Sequence, residues 1–151
     1  MRKINEIIVH CAATRADQDV SAADIDLWHK QQGYDCIGYH FFIKRDGTIE
    51  AGRPIAKVGA HCKGHNNNSI GICYAGGASR VGDQLYYVDN RTPEQIRSMY
   101  LLITTLLHCY PGIKKISGHR QYANKACPCF DAEAEYKTLL DAVRAVNWYA
   151  K

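Results

Sequence analysis

At 151 residues, with 46% hydrophobic and 23% charged side chains, the chain is sized for one globular domain, residues 1–151, with a real core. Its net charge of +4 suits approach to an anionic polymer, a bacterial wall or a nucleic acid, without choosing between them. No run approaches the roughly 18 uninterrupted apolar residues of a membrane span, and Met1-Arg2-Lys3-Ile4-Asn5-Glu6 lacks the apolar centre of an export signal. The expectation is therefore a protein made in the cytoplasm, whose seven irregularly spaced cysteines stay thiols.

In chain order, Ile4 to Cys11 reads as a buried strand, with Ile8 and His10 on one face and Ile7, Val9 and Cys11 on the other. Ser21, with Asp24 three residues on, caps a helix over about 21–33 that Gly33 stops. His40 to Arg45, Asp46-Gly47 and Thr48 to Glu50 read as a hairpin with a type I′ turn, and Tyr39, Phe41 and Ile43 are expected to share a face. Gly59 to Asn68 has the Gly, Asn and His content of a functional loop, before an apolar strand from Ser69 to Ala75 that ends at Gly76-Gly77.

Thr92-Pro93-Glu94-Gln95 combines a cap, an N1 proline and an N3 glutamine, so a long helix starts there. Its inward face is expected to be Ile96, Met99, Tyr100, Ile103, Leu106, Leu107 and Tyr110, and Pro111-Gly112 ends it. Lys115 to Gly118 is a short strand that delivers His119. Asp131 caps a final helix with Tyr136, Leu140, Val143 and Trp148 inward. Strands alternating with helices, plus one hairpin, predict an α/β domain with a mixed central sheet flanked by helices.

Chemistry concentrates in two places. His119, Lys125 and Cys127 supply an imidazole, an amine and a thiol close together, and His10 ends the first strand near the other end of the chain. Two histidines and a cysteine form the three-ligand type of zinc site that keeps one position open for catalysis. His29 and His40 read as structural, and His108 as a histidine favoured at a helix C-terminus. A zinc nucleobase deaminase would need His-x-Glu and Pro-Cys-x-x-Cys, which His10-Cys11-Ala12 and Pro128-Cys129-Phe130-Asp131 do not provide.

The order of Val9-His10-Cys11-Ala12-Ala13-Thr14, Trp28-His29-Lys30, Gly38-Tyr39-His40-Phe41, Lys44-Arg45-Asp46-Gly47-Thr48, Asn68-Ser69-Ile70-Gly71 and Lys125-Ala126-Cys127-Pro128 resembles the zinc-dependent N-acetylmuramoyl-L-alanine amidases. These form the type-2 amidase and peptidoglycan-recognition superfamily, and the likeness extends to phage endolysins. The resemblance implies one Zn2+ per chain on His10, His119 and Cys127, with Tyr39 and Lys125 as catalytic helpers. His61, in the loop from Gly59 to Asn68, reads equally as a candidate substrate contact or as loop surface. The resemblance further implies cleavage of the amide between N-acetylmuramic acid and L-alanine in bacterial peptidoglycan, after release or export to the wall. Peptidoglycan is the expected partner, with no nucleic acid or membrane, and the expected state is a monomer. The alternative within this superfamily is a non-catalytic peptidoglycan-binding module, which would lose a ligand. Cys129 departs from the pattern: it could compete for zinc, and under oxidation a Cys127–Cys129 disulfide would remove the ligand.

Overall fold

The computed structural model describes residues 1–149, with side chains described as far as Val146, so the inward placement expected of Trp148 lies outside the described side chains. Eight strands and three helices follow one another as β1 (Glu6–Cys11), β2 (Thr14–Arg15), α1 (Ala22–Gln31), β3 (Phe41–Ile43), β4 (Ile49–Ala51), β5 (Ser69–Tyr74), β6 (Gly77–Val81), β7 (Gln84–Tyr87), α2 (Pro93–Cys109), β8 (Lys115–Gly118) and α3 (Ala132–Tyr149). Five of the strands form a mixed central sheet in the order β4-β3-β5-β1-β8. Only the β3–β4 pair is antiparallel; the other three pairings in that sheet are parallel. The α/β architecture with a mixed sheet is thus the one the sequence implies.

Alternation along β1 divides its residues between two layers. Ile7, Val9 and Cys11 join the larger core, with Met99, Ile103 and Leu107 of α2 and Tyr136 of α3. Ile8 and His10 point the other way, toward the side where Ile25 of α1, Ile37, Phe42 and Cys73 form a smaller cluster. Being flanked by β5 and β8, β1 is a central strand. The residue that ends it on the α1 side, His10, is consequently 1% exposed.

Local chemistry explains the helix starts. The Ser21 hydroxyl accepts from the Asp24 amide, while the Asp24 carboxylate accepts from the Ser21 amide at 2.8 Å. Thr92 and Gln95 make the same reciprocal pair at the head of α2. The face α2 buries is rotated from the one expected: Gln95 and Leu102 are inside, whereas Ile96 and Tyr100 are 38% and 39% exposed. Gln95 goes inward because its amide donates to the carbonyls of Ile43 and Ala75, at 3.2 and 2.8 Å.

The β3–β4 turn also differs from the I′ expectation. The Gly47 amide donates to the Lys44 carbonyl and the Lys44 amide to the Thr48 carbonyl, and positive φ is confined to Gly47 (89°). This is a three-residue loop, a type I turn closed by a left-handed glycine. A second hairpin, β6–β7, was not anticipated; it turns at Gly82-Asp83 and joins β2 in a separate three-stranded sheet, β2-β6-β7.

The C-terminal segment is fastened to this frame from two sides. Arg91 donates to both carboxylate oxygens of Glu135 at 2.8 Å and lies 3.4 Å over the Phe130 ring, while the Tyr74 hydroxyl donates to the Pro128 carbonyl at 2.6 Å. Both ties fix the stretch that carries Cys127.

Candidate metal centre and cleft

Three segments far apart in sequence converge at the C-terminal edge of β1. His10 is its penultimate residue, His119 follows β8 directly and opens a 3-10 turn (His119–Gln121), and Cys127 lies in the loop before α3. Parallel pairing of β1 and β8 in register Val9↔Gly118 puts the two histidines side by side. The loop folds back on the 3-10 turn because the Arg120 amide donates to the Cys127 carbonyl at 2.8 Å.

His10 Nδ1 lies 3.2 Å from His119 Nδ1 and 3.9 Å from Cys127 Sγ, and all three ligand atoms fall within 4.8 Å of one another. Two nitrogens on one tetrahedral zinc, each about 2.0–2.1 Å from it, stand about 3.3 Å apart, and a nitrogen and a sulfur about 3.6 Å apart. The spacing and donor set therefore fit zinc. The Cys11 amide also donates to Cys127 Sγ at 3.2 Å.

Electrostatics favour the neutral imidazoles that a metal requires. Burial, then the neighbouring His61, His119 and Lys125, hold His10 well below the usual histidine range, and burial and Lys125 lower His119. Burial, followed by the charges of His40 and His119, brings His61 down to about 3.

Of the other candidates, Tyr39 packs its ring 5.1 Å from that of His10. It does not share a face with Phe41 and Ile43, as regular alternation would require. Those two join the α2 side and Tyr39 the α1 side, because the chain bends at Gly38 and His40 before β3 begins. Burial, then the thiols of Cys73, Cys127 and Cys11, pushes the Tyr39 phenol well above its ordinary value. Lys125 is exposed at the mouth of the site.

His61 stands beside the metal group with both ring nitrogens engaged, Nδ1 2.8 Å from His10 Nε2 and Nε2 3.2 Å from the Ser69 hydroxyl. His40 is structural, as expected: Nδ1 accepts from the Gly71 amide and Nε2 donates to the Lys57 carbonyl. His29 is structural too, since Nδ1 accepts from the Gly38 amide at 2.8 Å, one residue before Tyr39.

Cys129 does not compete for the metal group. Its thiol lies 3.8 Å from Cys11 Sγ and reaches the Gly77 carbonyl at 3.4 Å, so Cys11 is the thiol it meets. The metal-competent cluster among the described residues is His10, His119 and Cys127.

Two open clefts meet at the centre. One, of about 540 Å³, is lined by Tyr39, Tyr87, Ala13 and Asn124; the other, of about 600 Å³, by Tyr34, Lys63, Asn66 and Tyr122. His119 and Lys125 border both. Tyr87, 58% exposed on β7, is a cleft residue that the sequence reading missed; its signal was the Gly82-Asp83 turn ahead of Leu85 and Tyr87.

Residues 1–130 match the family described as N-acetylmuramoyl-L-alanine amidase. Among curated relatives, the endolysin of Escherichia phage T7 is 49% identical over 125 residues, spanning 83% of this chain and 80% of that protein. The endolysin of Enterobacteria phage K11 is 42% identical, over 91% and 88% of the two chains. Among solved structures, the N-acetylmuramoyl-L-alanine amidase LysC from Clostridium intestinale superposes with a TM-score of 0.75 at 31% identity, covering 91% of this chain and 86% of its own. Drosophila PGRP-LB gives 0.73 at 25% identity, over 90% and 81%. With a metal-competent His-His-Cys group at the junction of two clefts and a family match over most of its length, the chain belongs to the N-acetylmuramoyl-L-alanine amidase family.

Proposed function

We propose that this amidase uses one zinc ion, held by His10, His119 and Cys127, to hydrolyse the amide between the lactyl group of N-acetylmuramic acid and the L-alanine of the stem peptide in bacterial peptidoglycan. The observation that carries the zinc assignment is the 3.2 Å approach of two imidazole nitrogens beside a cysteine sulfur, at the meeting point of two open clefts. Zinc bound there supplies Lewis acidity, which polarises a carbonyl and acidifies water near neutral pH.

The chain's own groups do the rest. Lys125 places its ammonium where both clefts meet and stabilises the oxygen that gains negative charge as the scissile carbon becomes tetrahedral. Tyr39, with its pKa raised by burial, keeps its proton and donates a hydrogen bond that orients the attacking water. The glycan strand and the stem peptide leave the centre by different clefts, and the Tyr87 ring offers a flat apolar wall to the part that passes it.

Removing metal from the purified protein with a chelator should abolish release of new L-alanine amino termini from purified peptidoglycan, and one equivalent of zinc should restore it. Release that persists in metal-free protein contradicts the proposal.

A further inference from the structure

His10 presents two ring nitrogens, either of which can bind a metal, and only one faces the metal group. What decides between them lies outside the ligand set. The Ser69 hydroxyl is 2.7 Å from the His65 carbonyl, and a carbonyl only accepts, so the hydroxyl proton is committed there. Toward His61 Nε2, 3.2 Å away, Ser69 can therefore only accept, and the His61 proton sits on Nε2. In a neutral imidazole that leaves Nδ1 bare, and it is 2.8 Å from His10 Nε2. His10 must then carry its proton on Nε2, leaving Nδ1 as the free lone pair, and Nδ1 is the atom 3.2 Å from His119 and 3.9 Å from Cys127.

The backbone makes room for this arrangement. A Cβ on Gly71 would lie 2.6 Å from His61 Cδ2, and one on Gly59 would lie 2.6 Å from the same atom, so two glycines let the ring settle against the β5 backbone. His61 comes from the loop before β5 and Ser69 from its first residue, and the register Glu6↔Ser69 to His10↔Cys73 holds β5 alongside the strand that carries His10.

We propose that His61, fixed by Ser69, is a positioning residue that dictates the tautomer and ring orientation of His10 and thereby sets the metal affinity of the site. This rests on the zinc reading above and adds to it a residue outside the ligand set. Hydrogen-bonded partners of metal-ligating histidines commonly change metal affinity by about 10–100-fold when removed.

The test separates hydrogen bonding from packing with two substitutions. His61→Asn keeps an acceptor at the Nδ1 position but loses volume; His61→Phe keeps a ring but loses the acceptor. Zinc affinity is measured at one pH by competition with a chromophoric chelator, after circular dichroism and thermal unfolding of the metal-free proteins establish that each folds. His61→Asn should bind within a few-fold of wild type, and His61→Phe should bind about 10–100-fold more weakly. Ser69→Ala, which removes the outer link alone, should weaken binding by a few-fold. Phe binding as tightly as wild type, or more tightly than Asn, overturns the inference and makes His61 a packing residue. Should His61→Phe fail to fold, wild-type affinity in Ser69→Ala overturns it instead. Failure of the wild type itself to bind zinc sinks the metal reading, an outcome distinct from a wild type that binds and variants that match it.

Discussion

The floor and the rim of the site are built by different means. On the floor, His10 is buried on a central strand, His61 packs against glycine backbone, and His40 is buried between the Gly71 amide and the Lys57 carbonyl. On the rim, His119, Lys125 and Cys127 sit on a 3-10 turn and a loop, half-buried or exposed, and Tyr87 stands on an exposed hairpin. The floor is part of the folding core, so its chemistry and its stability are inseparable. The rim is attached to that core through a few ties, such as the Cys11 amide to Cys127 Sγ and Tyr74 to Pro128, and its side chains can change without unfolding the domain.

If that division holds, the largest purely catalytic loss should come from the rim. Lys125→Ala should lower kcat by about 10²–10³-fold, the usual range for removing one stabiliser of a developing oxyanion. Zinc content and melting temperature should stay at wild-type values. A marked fall in melting temperature would show that the lysine belongs to the fold and break the division.

The floor should announce itself in the pH dependence of the metal-free protein. Burial holds His40 down to about 4 and His61 down to about 3, while the unfolded chain takes up these protons near pH 6.5. Between those values the unfolded state binds more protons than the folded one, so stability must fall as pH drops from about 6.5. Urea midpoints at pH 7.5, 6 and 5 should decrease in that order; a flat series would mean that the buried imidazoles are not constrained to be neutral. The smallest effect is expected at the outer wall: Tyr87→Ala should raise KM several-fold and leave kcat nearly unchanged. A loss confined to kcat would move Tyr87 from substrate contact to chemistry.

What could be read in the sequence follows the range of the interactions involved. The caps at Ser21 and Thr92 are legible because each is completed within four residues. The strand ending at His10 is legible because a buried central strand is apolar on both faces. The inward face of α2 was misjudged because Gln95 looks like a solvated helix residue until Ile43 and Ala75, 52 and 20 positions away, provide its acceptors. Tyr39 was given the wrong neighbours because a bend at His40 interrupts an otherwise regular alternation. At the site, family motifs named the five residues now proposed for metal binding and catalysis. The link from His61 to His10 spans 51 positions and depends on the β1–β5 register, so nothing local could reveal it. Cys129 is similar: two residues from Cys127 in sequence, its thiol is placed by the fold against Cys11.

The central claim, a zinc amidase whose metal is closed by a rim cysteine, is tested most directly by Cys127→Ala. Zinc per chain and release of L-alanine amino termini from peptidoglycan would be measured on the same preparations of wild type and variant. About one zinc with release in the wild type, and loss of both in a variant that melts within a few degrees of metal-free wild type, is the predicted result. A variant that keeps its zinc and its activity would contradict the assignment of Cys127 and, with it, the three-ligand centre.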